Sequence, residues 1–499
     1  MLTVAELVRQ AGIEVDAGRR TASGVLLDRP VRHVAYDSRK IEPGDLFVAI
    51  SGQRHDGAAF AEEAANRGAA AIVAETSAPP AFSVPWIRVA DARAALAALA
   101  ASAWGHPSRD LVVVGTTGTN GKTTTTYLLE GVFEDAGYPC GRVSSVSYRV
   151  ADEEESAART TPEAPDLQAL LRRMVERRCR ACAMEVSSHA LALRRVDGIR
   201  FSAAVFTNLT HDHLDFHGDM DGYYKAKRRL FEMVDEKAPT VVNVDDPYGR
   251  QLASEVKRPF TYAIDAAADV RPARMELSTK GIKLDLSTPR GALNLQSGLI
   301  GRSNTYNILA AAAAGAALDL PLRAIHSGIA ALTHVPGRMQ VASGPDDAVT
   351  VVVDFAHTSD ALRGLLETAR SLTRGRLVAV FGCGGDRDTA KRPLMGAVAG
   401  RLADFVVVTS DNPRSEDPAR IAADIAQGSA AGPAPYETVL DRAGAITQAI
   451  RDADDGDVVV IAGKGHERYQ ECSGQYLRFD DMAVARQALA GRRAGMQAE

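Results

Sequence analysis

Apolar and polar positions along this chain follow two rhythms. Short, almost wholly apolar runs recur, among them LVVVG from Leu111, ACAMEV from Ala181, AAVFTN from Ala203 and TVVNV from Thr240. Between them lie stretches such as TTTYLLEGVFEDAG and DLQALLRRMVERR, whose apolar residues fall three and four apart. Unbroken apolar runs read as strands covered on both faces, and three-four spacing reads as helices packed over them. The alternation therefore predicts an α/β fold with a mainly parallel sheet. It restarts after VPGRM with AVTVVVDFAH, RLVAVFGCGG, FVVVTSDNPR and DVVVIAGKGHE. Before Leu111 the segments are shorter and a PGD turn interrupts them, until the Ala-rich ARAALAALAASAWGHPS reads as a helix closed by a Pro-containing linker.

These breaks predict three domains: 1–107, a small α/β unit; 108–335, a parallel-sheet unit; and 336–499, a second such unit. A length of 499 residues agrees with a prior of roughly 150 residues per domain. The apolar share of 46% and charged share of 24% are those of a globular chain. A net charge of -5 argues against a general nucleic-acid binder, so any anion site must be local. The five cysteines, Cys140, Cys179, Cys182, Cys383 and Cys472, are odd in number and scattered, which fits a reducing compartment rather than a disulfide framework. Cys179 and Cys182 form a CxxC without a second pair, too few ligands for a tetrahedral zinc. The N-terminus lacks the basic leader and apolar core of a signal peptide. The longest nonpolar run, Ile308 to Leu318, is too short for the ~20 residues of a membrane span. A cytoplasmic protein without membrane insertion is expected.

The chemistry begins at GTTGTNGKTTTT, directly after the strand-like Leu111 to Val114. Gly118, Gly121, Lys122 and Thr123 stand between a strand and a helix, as in a phosphate-binding loop. Glycines let successive N–H groups turn around phosphate oxygens, Lys122 can reach the terminal phosphates, and Thr123 can ligate magnesium. Thr116 occupies the position where the general GxxxxGK[ST] pattern has its first glycine. Two later strand ends supply candidate metal ligands. MEVSSHAL offers Glu185, and FTNLTHDHLDFHG gathers His211, Asp212, His213, Asp215 and His217. A nucleotide-bound cation prefers oxygen ligands, which pairs Glu185 with Thr123 and leaves one imidazole, His213, for a second ion. A zinc hydrolase is the rival reading of three histidines in seven residues.

At this point the chain resembles the Mur ligases over nearly its whole length. GTNGKTT, MEVSSHAL, NLTHDHLDFHG, GRSNTYNILAA, VPGRM, DFAHTSDAL, GCGGDRD, KRPLMG, SDNPR and AGKGHE stand in the family's order. The resemblance implies an N-terminal domain for the UDP-sugar, a central ATPase and a C-terminal Rossmann-like domain for the incoming amino acid. ATP would be held by Gly118, Thr119, Asn120, Gly121, Lys122, Thr123 and Thr124, with Asn304 and Asn307 beside the nucleotide. Arg338, Asp354 and His357 would approach from the C-terminal domain. Ser38, Gln53, Arg54 and His55 would face the UDP moiety, and Thr160, Thr161, Ser187 and Arg195 the muramoyl peptide. Lys227 matches a lysine that family members carbamylate, which would make it a further magnesium ligand. Lys122, Lys227, Glu185 and His213 would carry the catalysis. Leu193 and Ser303 depart from side chains common in the family.

By the same resemblance, the reaction is ATP- and magnesium-dependent addition of meso-diaminopimelate to UDP-N-acetylmuramoyl-L-Ala-D-Glu by a monomer. Arg414 and Arg387 would bind the second carboxylate that diaminopimelate has and lysine lacks, since guanidinium forks suit carboxylates. Asp411, Asn412 and Pro413 complete that loop, and Glu467 with Asn412 and Gly463 would hold the distal ammonium end. L-lysine as the amino acid, a D-Ala-D-Ala-adding or folate-elongating relative, and a phosphate-loop switch or motor ATPase are the alternatives. GCGGDR lacks the spacing of a dinucleotide fingerprint.

Overall fold

The computed structural model describes residues 1–13, 26–52, 56–80, 82–278, 280–344 and 346–496. Gln53, Arg54 and His55 lie outside the described residues. The first unit opens with the helix Val4–Gln10, whose N-cap Thr3 accepts from Glu6 N while the Glu6 carboxylate accepts from Thr3 N. Four short parallel strands follow in the order Val34–Ala35, Leu46–Val48, Ala71–Ala74 and Trp86–Arg88. The helix Ala92–Ala103, N-capped by Asp91, buries Leu96 and Leu99 against them. Tyr36 Oη donates to Asp166 at 2.7 Å and Arg194 pairs with Asp91 at 2.7 Å, tying this unit to the next.

After His106 and a single turn at Pro107–Arg109, the chain enters an eight-stranded sheet. Its order is Pro259–Tyr262, Thr240–Asn243, Ala203–Phe206, Val112–Thr117, Ala181–Glu185, Cys140–Val143, Ser147–Val150, Glu153–Ser156. The first six strands are parallel and the last two antiparallel. Helices cover both faces of the central strands, which is why their sequences are continuously apolar. The exposed edge strand instead carries Glu153, Glu154 and Glu155, charges that discourage pairing with another chain.

A three-stranded antiparallel sheet, Arg271–Ser278, Gly281–Thr288 and Gly291–Ser297, was not anticipated from the apolar runs. It alternates buried and exposed positions, and Ile282, Leu284, Leu286, Leu293 and Leu295 join the core of the helix Arg302–Ala317. The last unit has a six-stranded sheet in the order Gln340–Val341, Thr350–Asp354, Val458–Ala462, Leu377–Phe381, Phe405–Val408, Tyr436–Thr438. All pairs but the first are parallel. A hairpin, Tyr469–Cys472 and Gln475–Arg478, stands apart from it. No helix among the described residues is long and apolar enough to cross a membrane.

Candidate active site

The strand Val112–Thr117 ends in the centre of its sheet, and the loop after it wraps the start of the helix Lys122–Asp135. Gly118 and Gly121 have φ of 151° and 86°. A Cβ at Gly118 would collide with Thr207 Oγ1 and one at Gly121 with Asn307 Oδ1, so only glycine fits either place. Asn208 closes the loop from the neighbouring strand end, accepting from Asn120 N at 2.9 Å and donating to Asn120 O at 3.2 Å. Thr119 Oγ1 lies 3.3 Å from Tyr223 Oη, and Thr124 is buried behind the loop.

Lys122 Nζ folds back on the Gly118 and Thr119 carbonyls at 2.9 and 2.8 Å. Lys227, buried on the helix Met220–Glu232, donates to the same Gly118 carbonyl at 2.7 Å. Two lysines thus converge on one oxygen. Burial and then Lys122 hold the Lys227 ammonium well below the usual lysine range, with Asp212 pulling the other way. Lys122 is lowered by withdrawal from water, which Glu185 and Asp212 oppose.

Beside this cradle lies an oxygen-rich corner. Thr123 Oγ1 is 3.1 Å from Ser145 Oγ, and buried Glu185 accepts from Ser145 N at 2.7 Å. Arg338 reaches in from the third unit, donating to Thr123 Oγ1 and Ser145 Oγ at 3.2 Å each. Its guanidinium lies over Phe355, and Asp354 orders its backbone neighbours by accepting from Met339 N and Ala356 N. Burial lowers Arg338 and raises Asp354, and each partly offsets the other. His357 sits half-buried next to Phe355, its carbonyl taken by Lys391.

Thr161, Ser187 and Arg195 meet on the other flank of Glu185. Thr161 Oγ1 donates to Glu185 O at 2.9 Å and accepts from Ser187 N, and Arg195 donates to Thr161 O and pairs with Glu163 at 2.8 Å. Thr160 is half-buried next to them. Asn304 and Asn307 bond to each other across one helical turn at 3.0 Å, next to Gly121. His213, at φ 54°, lies 3.3 Å from the Asp212 carboxylate, and burial lowers it to about 4. His189, His213 and His217 pack ring to ring, and among the described residues no three His, Cys, Asp or Glu side chains converge as a metal site. Ser38 is distant in role from this centre: it is buried and donates to Glu63 within the first unit.

The SDNPR loop follows the strand Phe405–Val408 and packs on the AGKGHE loop that follows Val458–Ala462. Asn412 Nδ2 donates to Glu467 at 2.8 Å, and fully buried Lys464 donates to Asn412 Oδ1 and Glu467 at 2.8 and 3.0 Å. Asp411 accepts from Asn412 N, and Gly463 leaves no room for a Cβ against the Asp411 carboxylate. Pro413 is buried, its carbonyl against Gly385. Arg414, at φ 53°, donates to Gly385 O at 2.6 Å and pairs with Glu471 at 3.2 Å. Arg387, in the Gly384–Gly385 loop, is exposed. Sequence reasoning overlooked Ser145, Asn208, Lys464 and Glu471. Asn208 and Lys464 lay within quoted motifs, whereas Ser145 and Glu471 had no local signal.

Three family models match the chain: Mur ligase family, catalytic domain, over 30–104; Mur ligase middle domain over 116–315; and Mur ligase, glutamate ligase domain, over 337–465. The UDP-N-acetylmuramoyl-L-alanyl-D-glutamate--2,6-diaminopimelate ligase of Gloeobacter violaceus is 47% identical over 94% of this chain and 96% of its own. The ligase of the same name from Solibacter usitatus is 45% identical over 94% and 97%. A solved structure of such a ligase matches at 33% identity over 99% of both chains, with a TM-score of 0.69. The chain belongs to the Mur ligase family.

Proposed function

We propose that this protein is a cytoplasmic, monomeric ATP-dependent ligase that joins meso-diaminopimelate to the D-Glu γ-carboxylate of UDP-N-acetylmuramoyl-L-Ala-D-Glu. One observation carries the reading beyond the similar proteins: two lysines converge on the Gly118 carbonyl of a phosphate loop, and an arginine from another unit reaches the adjoining corner formed by Thr123, Ser145 and Glu185. In the first step a carboxylate oxygen attacks the γ-phosphorus, the bond to the bridging oxygen breaks, and ADP leaves with that electron pair. In the second, the amine attacks the acyl phosphate carbonyl, phosphate departs with the C–O electron pair, and the nitrogen gives up one proton to solvent or to the departing phosphate.

Lys122 would exchange the Gly118 and Thr119 carbonyls for phosphate oxygens and offset the charge that develops on them. The glycine cradle, which any side chain would fill, suits a triphosphate. Thr123 Oγ1 and Glu185 are hard oxygen donors, fitting a magnesium ion that keeps most of its other contacts to phosphate and water. Magnesium, when bound, would neutralise phosphate charge. Lys227 is a buried amine of weakened basicity, which supports carbamylation to a carboxylate ligand, and His213 would serve a second ion. Thr160, Thr161, Ser187 and Arg195 would orient the muramoyl peptide, with Ser38, Gln53, Arg54 and His55 toward UDP. Asn304 and Asn307 would border the nucleotide, while Arg338 and Asp354 close the site from the third unit and keep the acyl phosphate from water. Asp411, Asn412, Pro413, Arg414, Arg387, Gly463 and Glu467 would receive the amino acid.

The test is phosphate release by the purified protein with Mg-ATP and the UDP-dipeptide, comparing meso-diaminopimelate, L-lysine and no amino acid. Release that depends on the amino acid and is far faster with diaminopimelate than with lysine, with a UDP-tripeptide mass, is expected. Release independent of every addition would replace the ligase with a switch or motor ATPase.

A further inference from the structure

Arg414, the guanidinium read above as the receptor for a second carboxylate, already faces a carboxylate of its own chain. Glu471 accepts from Arg414 Nε at 3.2 Å, while Nη1 donates to Gly385 O at 2.6 Å. The hairpin that carries Glu471 also grips the arginine's backbone. Arg414 N donates to Glu471 O at 3.0 Å, and Ser473 N donates to Arg414 O at 2.6 Å. These bonds hold Arg414 in a left-handed conformation that a non-glycine residue keeps only when its surroundings impose it. The two side chains are 22% and 20% exposed, so a ligand can reach the guanidinium without unfolding the loop. Next to this pair, Asn412 Oδ1 accepts both from Lys464 Nζ and from Glu471 N, so both charge pairs share one hub.

We infer that Glu471 sets how strictly this site excludes lysine, by standing in on Arg414 for the second carboxylate of the amino acid. The inference rests on the diaminopimelate reading of Arg414. Two consequences follow from charge alone. An amino acid whose distal end carries only an ammonium leaves Arg414 paired with Glu471, so the usual penalty for stranding a half-buried cation is relieved. An amino acid with a distal carboxylate must share the guanidinium with Glu471, and the two like charges oppose each other. Glu471 therefore weakens diaminopimelate and tolerates lysine. A net change in the distal group, not a change in pocket volume, is what the site reads.

Glu471→Gln keeps an oxygen acceptor for Arg414 Nε and removes the charge. The experiment measures amide synthesis by the full chain with Mg-ATP and the UDP-dipeptide, titrating diaminopimelate and lysine separately. The native protein is expected to turn lysine over far more slowly than diaminopimelate, and a lysine rate no higher than the rate without amino acid would overturn the assignment. In the variant, KM for diaminopimelate should fall about fivefold and the ratio of kcat/KM for diaminopimelate over lysine should rise about tenfold, which is 1.4 kcal/mol of discrimination. Glu471→Ala should move both in the same direction, and in an Arg414→Ala background Glu471→Gln should no longer change the ratio. An unchanged or lower ratio, a raised KM for diaminopimelate, or an equal effect without Arg414 would overturn the assignment. If the native protein uses neither amino acid, the ligase reading fails and takes this one with it. If it uses diaminopimelate and the ratio does not respond to Glu471, this inference alone fails.

Discussion

The phosphate loop and the SDNPR loop both follow parallel strands, yet they are held by different kinds of bond. Around Gly118 and Lys122 the partners are backbone: the Gly118 and Thr119 carbonyls hold both lysines, and Asn208 bonds to the Asn120 amide and carbonyl. Around Asn412 and Arg414 charged side chains largely satisfy one another, in the pairs Lys464–Glu467 and Arg414–Glu471. A backbone cradle fixes a shape, and here it is filled whenever glycine is replaced. Paired side chains fix a charge balance, which a ligand must exchange partner by partner. The first suits a phosphate chain, and the second suits choosing between amino acids that differ by one carboxylate.

The contrast breaks first at Lys122. Lys122→Ala removes a side-chain cation placed to leave the cradle for phosphate, and amide synthesis should fall by on the order of a thousandfold. Folding should survive, because Lys122 donates only to carbonyls of its own loop; thermal unfolding and phosphate release together check this. On the other side, Arg442 tests how far the recognition loops depend on side chains. It is fully buried against Asp481 and donates to Ser410 O and Ala462 O, at the ends of the two strands that carry SDNPR and AGKGHE. Arg442→Met strands a buried carboxylate and should cost about 3–5 kcal/mol, read by denaturant unfolding. Unchanged stability would mean that backbone packing alone holds both loops.

This difference also explains what could be read from the chain. The phosphate loop is contiguous, and its glycines, lysine and threonine stand side by side in one motif directly after an apolar strand. The parallel strands were legible for the same reason, since Ala181 to Met184 or Ala203 to Phe206 are apolar throughout. The sheet Arg271–Ser297 was not, because its strands alternate with polar residues and lack a solid apolar run. Glu471 pairs with Arg414 from 57 residues away, on a mostly polar hairpin, and Ser145 joins Glu185, Thr123 and Arg338 across three separate segments. No spacing rule reaches such pairs. The sequence also presented Arg387 and Arg414 as equals, whereas Arg387 stays exposed and Arg414 is locked by the hairpin.

Arg414→Ala sharpens the comparison from the amino-acid side. It leaves Glu471 without its cation and removes the receptor proposed for a distal carboxylate. KM for diaminopimelate should rise about fiftyfold, equivalent to ~2 kcal/mol, while KM for ATP stays close to native. An equal loss for both substrates would show that the loop acts on the whole site rather than on the amino acid.

The smallest effect concerns a residue that links the two regions. His466, in AGKGHE, lies with Nε2 3.1 Å from Ser145 O, beside the phosphate corner, and its buried Nδ1 has no hydrogen-bond partner. Burial, and then Arg338, lower this imidazole to about 3 from an ordinary 6.5, against the opposing bond to Ser145. Docked, the ring therefore stays neutral well below the pH at which a freed ring takes a proton. The unfolded state then binds more protons than the folded one between about pH 6.5 and 3, so stability rises with pH across that window and is lost on acidification. At pH 5.5 the loss relative to pH 7 should be about 1 kcal/mol, or roughly 1 °C in the midpoint of a chain this size. His466→Gln retains an N–H for the Ser145 carbonyl but cannot take up the proton. Its thermal midpoint should consequently fall less than the native one between pH 7 and 5.5, and parallel curves would mean that the ring is protonated in place and that the contact tolerates its charge.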